Sequence, residues 1–149
     1  MSGLDSRSAI QWREALFWLA KAGEDLAAGR VLMDADMLAP AAFHIQQALE
    51  KGLKGLLVAA AEDIRKTHDI DTLATTAQRH WPALIPTPFP LAHLTSWYLV
   101  SRYPGLDESE PTLSSIRDAL HAVEALLAEV RREIPPYPVE PEQGAASEP

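Results

Sequence analysis

Residues 41–60, AAFHIQQALEKGLKGLLVAA, constrain the fold more than any other stretch of the chain. At about 100° per residue, Ala42, Ile45, Ala48, Leu49, Leu53, Leu56 and Ala60 gather on one broad arc. Gln47, Glu50, Lys51 and Lys54 gather on the other. The spacing predicts a core helix with one face in water. Gly52 and Gly55 each cost such a helix roughly 1 kcal/mol relative to alanine. Their presence points to a neighbouring helix backbone that comes close. On the wet side Glu50 and Lys54 stand i,i+4 in the favourable order, and Gln47 lies one turn before Lys51; pairs of this kind add tenths of a kcal/mol.

The other segments read as partners for that helix. Between about residues 8 and 31, Trp12, Leu16, Leu19, Gly23 and Leu26 step at three and four along one stripe, flanked by Ala15 and Ala22, while Arg13, Glu14, Lys21 and Glu24 point away. Trp12 and Trp18 read either as packing residues or as stacking platforms for bases. Residues 33–39 form a short connection, and Pro40 fits a first helical turn, where its missing N–H does no harm. A third helix, capped by Thr67 or Asp69, runs to about His80 with Ile70, Leu73, Ala74 and Ala77 inward. Pro82, Pro86, Pro88 and Pro90 forbid regular helix over residues 81–89. Helix resumes near Leu91 and runs through His93, Trp97 and Leu99 to about Arg102, where Tyr103-Pro104-Gly105 ends it. After an acidic loop at 106–110, Pro111 again suits a first turn. From 112 to 134, Ile116, Leu120, Val123, Leu127, Val130 and Ile134 form a stripe widened by Ala119 and Leu126.

No segment alternates with period two. The expectation is an all-α fold, an up-and-down bundle of four to five helices over residues 1–134. Residues 135–149, PPYPVEPEQGAASEP, have four prolines before Gln143 and no aliphatic cluster, and read as a disordered acidic tail.

Thirteen Lys and Arg against twenty-one Asp and Glu give a formal net charge of -8. Glu140, Glu142 and Glu148 lie in the tail, so the bundle itself still carries about five excess negative charges. Such a surface repels nucleic-acid phosphates unless a local basic patch opposes it. The chain has no cysteine, which excludes disulfides and thiolate metal sites. The opening residues MSGLDSRSA lack the apolar core of a signal peptide, and the longest apolar run, 56–61, is far shorter than a membrane span. A soluble cytoplasmic protein is expected.

The five histidines, His44, His68, His80, His93 and His121, show no HxxxH or HExxH spacing, so no helix-face metal site is expected. Gly52 and Gly55 lie in mid-helix, where bonded amides cannot cradle a phosphate. No nucleophile elbow of the Gly-x-Ser-x-Gly type occurs. No cofactor is implied.

The run Phe43-His44-Ile45-Gln46-Gln47-Ala48-Leu49-Glu50-Lys51-Gly52-Leu53-Lys54, followed by Lys66-Thr67-His68-Asp69-Ile70 and Leu73, resembles the HEPN domain, an all-helical family of small prokaryotic proteins and larger fusions. Trp18-Leu19, Ala22 and Asp25-Leu26-Ala27 match the family's first helix, and Ser101-Arg102-Tyr103-Pro104 its usual break before the last one. The resemblance covers about residues 8–134. It implies three functional readings. Active members carry an Arg and a His four to six residues apart and cleave RNA, the guanidinium holding phosphate and the imidazole serving as acid or base; two copies meet across a dimer. Here the motif is displaced: counting on from Arg102, positions 107, 108 and 109 are Asp, Glu and Ser. Arg117 and His121 are the nearest substitute, and their favoured reading is a solvated edge with Glu124 as salt-bridge partner rather than a catalytic pair. Arg65 and His68 stand closer still, beside a loop.

The family name records a proposed nucleotide-binding role, for which His44, His68, Gln47, Lys51 and Lys54 could line a groove. Alternatively His68 packs at a helix start. Stand-alone members are commonly paired with a separately encoded minimal nucleotidyltransferase in toxin–antitoxin or related modules, where the partner neutralises or modifies them. The tyrosine that is modified in the family, just past the motif His, has no equivalent here. The resemblance thus leaves open the HEPN half of such a module, expected as a homodimer, an active metal-independent ribonuclease, and a nucleotide-binding or scaffolding module without catalysis.

Overall fold

The computed structural model describes residues 6–64, 69–102 and 111–134, without the side chains of 6–8 and 99–102. It contains five α-helices: α1 (Ser6–Asp34), α2 (Leu38–Ala59), α3 (Ile70–Gln78), α4 (Thr95–Arg102) and α5 (Leu113–Glu133), with one 3-10 turn at Ala92–Leu94 leading into α4. No strand occurs among the described residues.

The chain turns sharply between α1 and α2. Met37 N–H bonds back to Leu32 C=O at 2.9 Å, and Asp36 takes a positive φ of 62°. The connection is shorter than the sequence suggests, because α1 runs on to Asp34 and α2 begins at Leu38, with Pro40 inside its first turn. The two helices run antiparallel and very close. A Cβ built on Gly29 would stand 2.9 Å from Ile45 Cγ1, and one on Gly55 would stand 3.3 Å from the Ala15 carbonyl oxygen. On the far side, a Cβ on Gly52 would stand 2.5 Å from Leu127 Cδ2 of α5. The close backbone approach expected at both glycines is found at Gly55, against α1, whereas Gly52 makes room for the Leu127 side chain of α5.

α2 ends in a reciprocal hydrogen-bonded cap. Glu62 N–H reaches Leu57 C=O at 2.8 Å and Ala61 N–H reaches Val58 C=O at 3.0 Å, with Ala61 in the left-handed region at φ 61°. Asp69 caps α3 by accepting from Asp71 N–H, and Ile70, Leu73, Ala74 and Ala77 are buried as their spacing requires. Residues 81–89 form turns without helix, as their four neighbouring prolines dictate. Thr112 caps α5 through a capping box with Ser115, so Pro111 precedes the helix and does not occupy its first turn.

α5 lies antiparallel to α1: Arg30 near one end of α1 pairs with Glu124, and Gly23 sits beside Arg131. α4 runs back along α2, with the Tyr98 ring 5.9 Å from the Phe43 ring and Thr95 Oγ1 accepting from Ile70 N–H at 3.0 Å. The C-terminal ends of α1 and α4 and the N-terminal ends of α2 and α5 accordingly share one end of the bundle. α2 is the central element, touched by all four other helices, and Ile45, Ala48, Leu49, Leu53 and Leu56 are each at most 1% exposed.

Candidate functional site

Central placement overturns part of the expected wet face. Glu50 and Lys54 do form the i,i+4 pair, at 2.9 Å, but their side chains are only 3% and 8% exposed. Both were expected in water. Burying two charges is tolerable when they neutralise each other and their remaining donors and acceptors are satisfied. That condition is met here. Gln46, fully buried, donates to Glu50 Oε1 at 3.3 Å and accepts from Gln47 Nε2 at 2.7 Å. The Lys54 ammonium lies 5.4 Å from the centroid of the Trp18 ring, a cation–π contact across the α1–α2 seam. Trp18 is thus a packing residue covering a buried ammonium, and it offers no open platform for a base. Trp12 likewise packs, partly buried, against the core.

Gln47 bonds Gln46 and does not pair with Lys51, as its spacing had suggested. Lys51 instead reaches α1. Its ammonium contacts Asp25 Oδ2 at 2.5 Å, while His44 Nδ1 lies 2.8 Å from Asp25 Oδ1. An ionised carboxylate only accepts, so Nδ1 carries the hydrogen and, in the neutral ring, Nε2 is the acceptor. His44 also meets the Phe43 ring edge-on, with centroids 5.4 Å apart. Asp25 is the residue that sequence spacing did not single out. Its signal was its position beside Leu26 in the buried seam, where a carboxylate with a side chain 12% exposed requires partners.

His44, Gln47 and Lys51 therefore come together on one flank of α2, and Lys54 turns inward behind them. His68 and Arg65 lie outside the described residues. The electrostatic consequence is cancellation: Lys51 is opposed by Asp25 and Lys54 by Glu50. A nucleotide phosphate approaching this flank would have to compete with carboxylates already in place.

The second candidate set sits at the shared end of the bundle. Arg102 is the last residue of α4, and Arg117 and His121 lie in the first three turns of α5, both exposed. Neither Arg117 nor His121 bonds another described residue. Glu124, expected to pair with one of them, pairs with Arg30 of α1. The other described histidines are accounted for locally: His80 Nε2 meets Glu62 at 3.1 Å, and His93 Nδ1 meets the Pro90 carbonyl at 3.1 Å. Among the described residues no group of three His, Asp or Glu could hold a metal ion, and no helix is long and apolar enough to cross a membrane.

The family model for the HEPN domain matches residues 15–133, from the first core residue of α1 to the end of α5. The chain belongs to the HEPN family. The match takes in both polar sets, and the all-helical bundle is the HEPN architecture that the FHIQQALEKGLK run implied. No curated protein sequence matches this HEPN chain significantly.

Proposed function

We propose that this HEPN protein is the non-catalytic half of a two-protein module: a cytoplasmic homodimer that engages a separately encoded nucleotidyltransferase, with its own ribonuclease motif degenerate. The observation that carries this reading is the contrast between the histidines. An acid–base histidine needs a partner that fixes its tautomer and aim. His121 has no such partner among the described residues, while His44, which has one, faces Asp25 and Lys51 with their charges already cancelled.

Co-expression with the nucleotidyltransferase encoded beside it tests this reading. A stoichiometric complex is expected to co-purify, and the chain alone is expected to leave RNA intact in the presence of chelator. Chelator-resistant cleavage that disappears in His121→Ala would replace the proposal with the second reading, an active metal-independent ribonuclease. What supports that second reading is that α4 ends and α5 begins at one end of the bundle. The third, nucleotide binding by His44, Gln47 and Lys51, predicts heat with ATP or GTP in calorimetry that is lost in Lys51→Ala.

A further inference from the structure

Among the described histidines, His44 alone has its ring held by a carboxylate on one nitrogen and open on the other. Nδ1 meets Asp25 Oδ1 at 2.8 Å, and Phe43 packs edge-on against the ring. Nδ1 therefore keeps the hydrogen, and the lone pair of the neutral ring stands on Nε2. Nε2 bonds no described residue. Every buried side-chain nitrogen or oxygen of the described residues has a partner, so this one, unpartnered on a side chain 33% exposed, reaches the surface. The other described histidines are built differently: His80 has Nε2 itself occupied by Glu62, His93 sets Nδ1 on an uncharged carbonyl, and His121 has no partner.

The groups on the same flank of α2 suit an oxyanion. Lys51 gives one ammonium hydrogen to Asp25 Oδ2 at 2.5 Å and keeps others, and Gln47, which gives one amide hydrogen to Gln46, keeps its second. No further ligand joins the ring to hold a metal ion among the described residues.

We propose that His44 Nε2 is a phosphoryl acceptor, loaded by a donor whose phosphorus is bonded to nitrogen. A nucleophilic histidine needs an unprotonated nitrogen, a fixed ring and a partner for the charge that develops, and all three are in place. In the step, the Nε2 lone pair attacks phosphorus, the P–N bond of the donor breaks, and the donor nitrogen leaves with that electron pair and the proton it already carries. The ring ends as a cation with its hydrogen still on Nδ1, facing Asp25, the part a carboxylate plays beside any imidazolium. One P–N bond replaces another, so the transfer runs both ways. It requires neither the nucleotidyltransferase partner nor RNA cleavage.

Asp25 does not block this approach. It lies on the Nδ1 side of the ring with both oxygens bonded, so phosphorus arrives from the other side. A free nucleotide has to displace those contacts to be held, whereas a group bonded to Nε2 does not. Once loaded, the flank changes from balanced to anionic, which draws Lys51 toward the phosphoryl oxygens and loosens its hold on α1.

Potassium phosphoramidate, applied to the full chain in mildly alkaline buffer where histidine is neutral, tests the site. Peptide mapping by mass spectrometry, in alkali that preserves phosphohistidine, is expected to find His44 labelled about tenfold or more faster than the exposed His93 and His121. That comparison is made within one wild-type chain and does not depend on the stability of any variant. Asp25→Asn is expected to slow labelling of His44 about tenfold and to leave His93 and His121 unchanged, a selectivity that loss of the fold does not produce. Labelling of His44 no faster than that of His93 and His121 would overturn the proposal, as would a rate at His44 indifferent to Asp25→Asn.

Discussion

Glu50 and Lys54 set the residue-scale question of what a buried pair contributes. The two charges lost their water when α2 was enclosed, and each is tolerable only with the other present. Glu50→Ala is therefore expected to cost about 3–5 kcal/mol in urea denaturation, because it leaves an ammonium in the core with only the Trp18 ring as company. Replacing both members, Glu50→Leu with Lys54→Met, is expected to be close to neutral or stabilising, since the desolvation cost disappears together with the attraction. If the double variant were as damaged as the single one, the buried Gln46 amide, whose Nε2 donor loses its acceptor with Glu50, would be the greater contributor. Asp25 is the less deeply buried counterpart, its side chain 12% exposed: its partners His44 and Lys51, 33% and 26% exposed, can turn to water, so its removal is expected to cost less, about 1–2 kcal/mol by the same measurement.

At the scale of the helix, glycines that look alike in the sequence part company. Gly52→Ala gains about 1 kcal/mol of helix propensity but drives a methyl group to 2.5 Å from Leu127 Cδ2, a side chain 1% exposed with nowhere to go. A net loss of about 1–3 kcal/mol is expected. Gly23→Ala meets only the far end of the exposed Arg131 side chain, at 3.0 Å, and is expected to stabilise α1 by about 0.5–1 kcal/mol. Ala61 is the reverse case: it holds φ 61° in the cap of α2, so Ala61→Gly is expected to raise the melting temperature by relieving a conformation that disfavours a Cβ.

What the sequence made legible at this scale follows from the same geometry. Three- and four-residue spacing reports the direction in which Ile45, Leu49 and Leu53 point, and the glycines report that something comes close. Neither reports how far round the helix its neighbours reach. α2 is touched by four other helices, so its dry arc extends past the aliphatic residues to take in Gln46, Glu50 and Lys54, polar groups that any single-helix pattern assigns to water. The Asp25 contacts were equally hidden, since they depend on the angle at which α1 crosses α2 and not on spacing within either helix.

For the molecule as a whole, charge decides what it can hold. The chain carries a net charge of -8, and most cations of the described residues are already committed: Lys21 to Glu24, Arg30 to Glu124, Lys51 to Asp25, Lys54 to Glu50 and Arg132 to Glu129. Among the described side chains, those outside such pairs, Arg13, Arg79, Arg117 and Arg131, are spread over α1, the residue after α3, and α5. Nucleic-acid affinity grows with the number of phosphates neutralised together, and each neutralised phosphate steepens the fall of affinity with salt. A surface that offers cations singly, against a negative background, is expected to bind single-stranded RNA no tighter than about 10⁻⁴ M near physiological salt, with a shallow salt slope. Filter binding across a salt series measures both quantities. Tight binding with a steep slope, weakened by Arg117→Ala, would reveal a basic patch assembled at the α4–α5 end and would return the ribonuclease reading to first place. Weak and salt-insensitive binding would leave contacts with other protein chains as the means by which this chain acts.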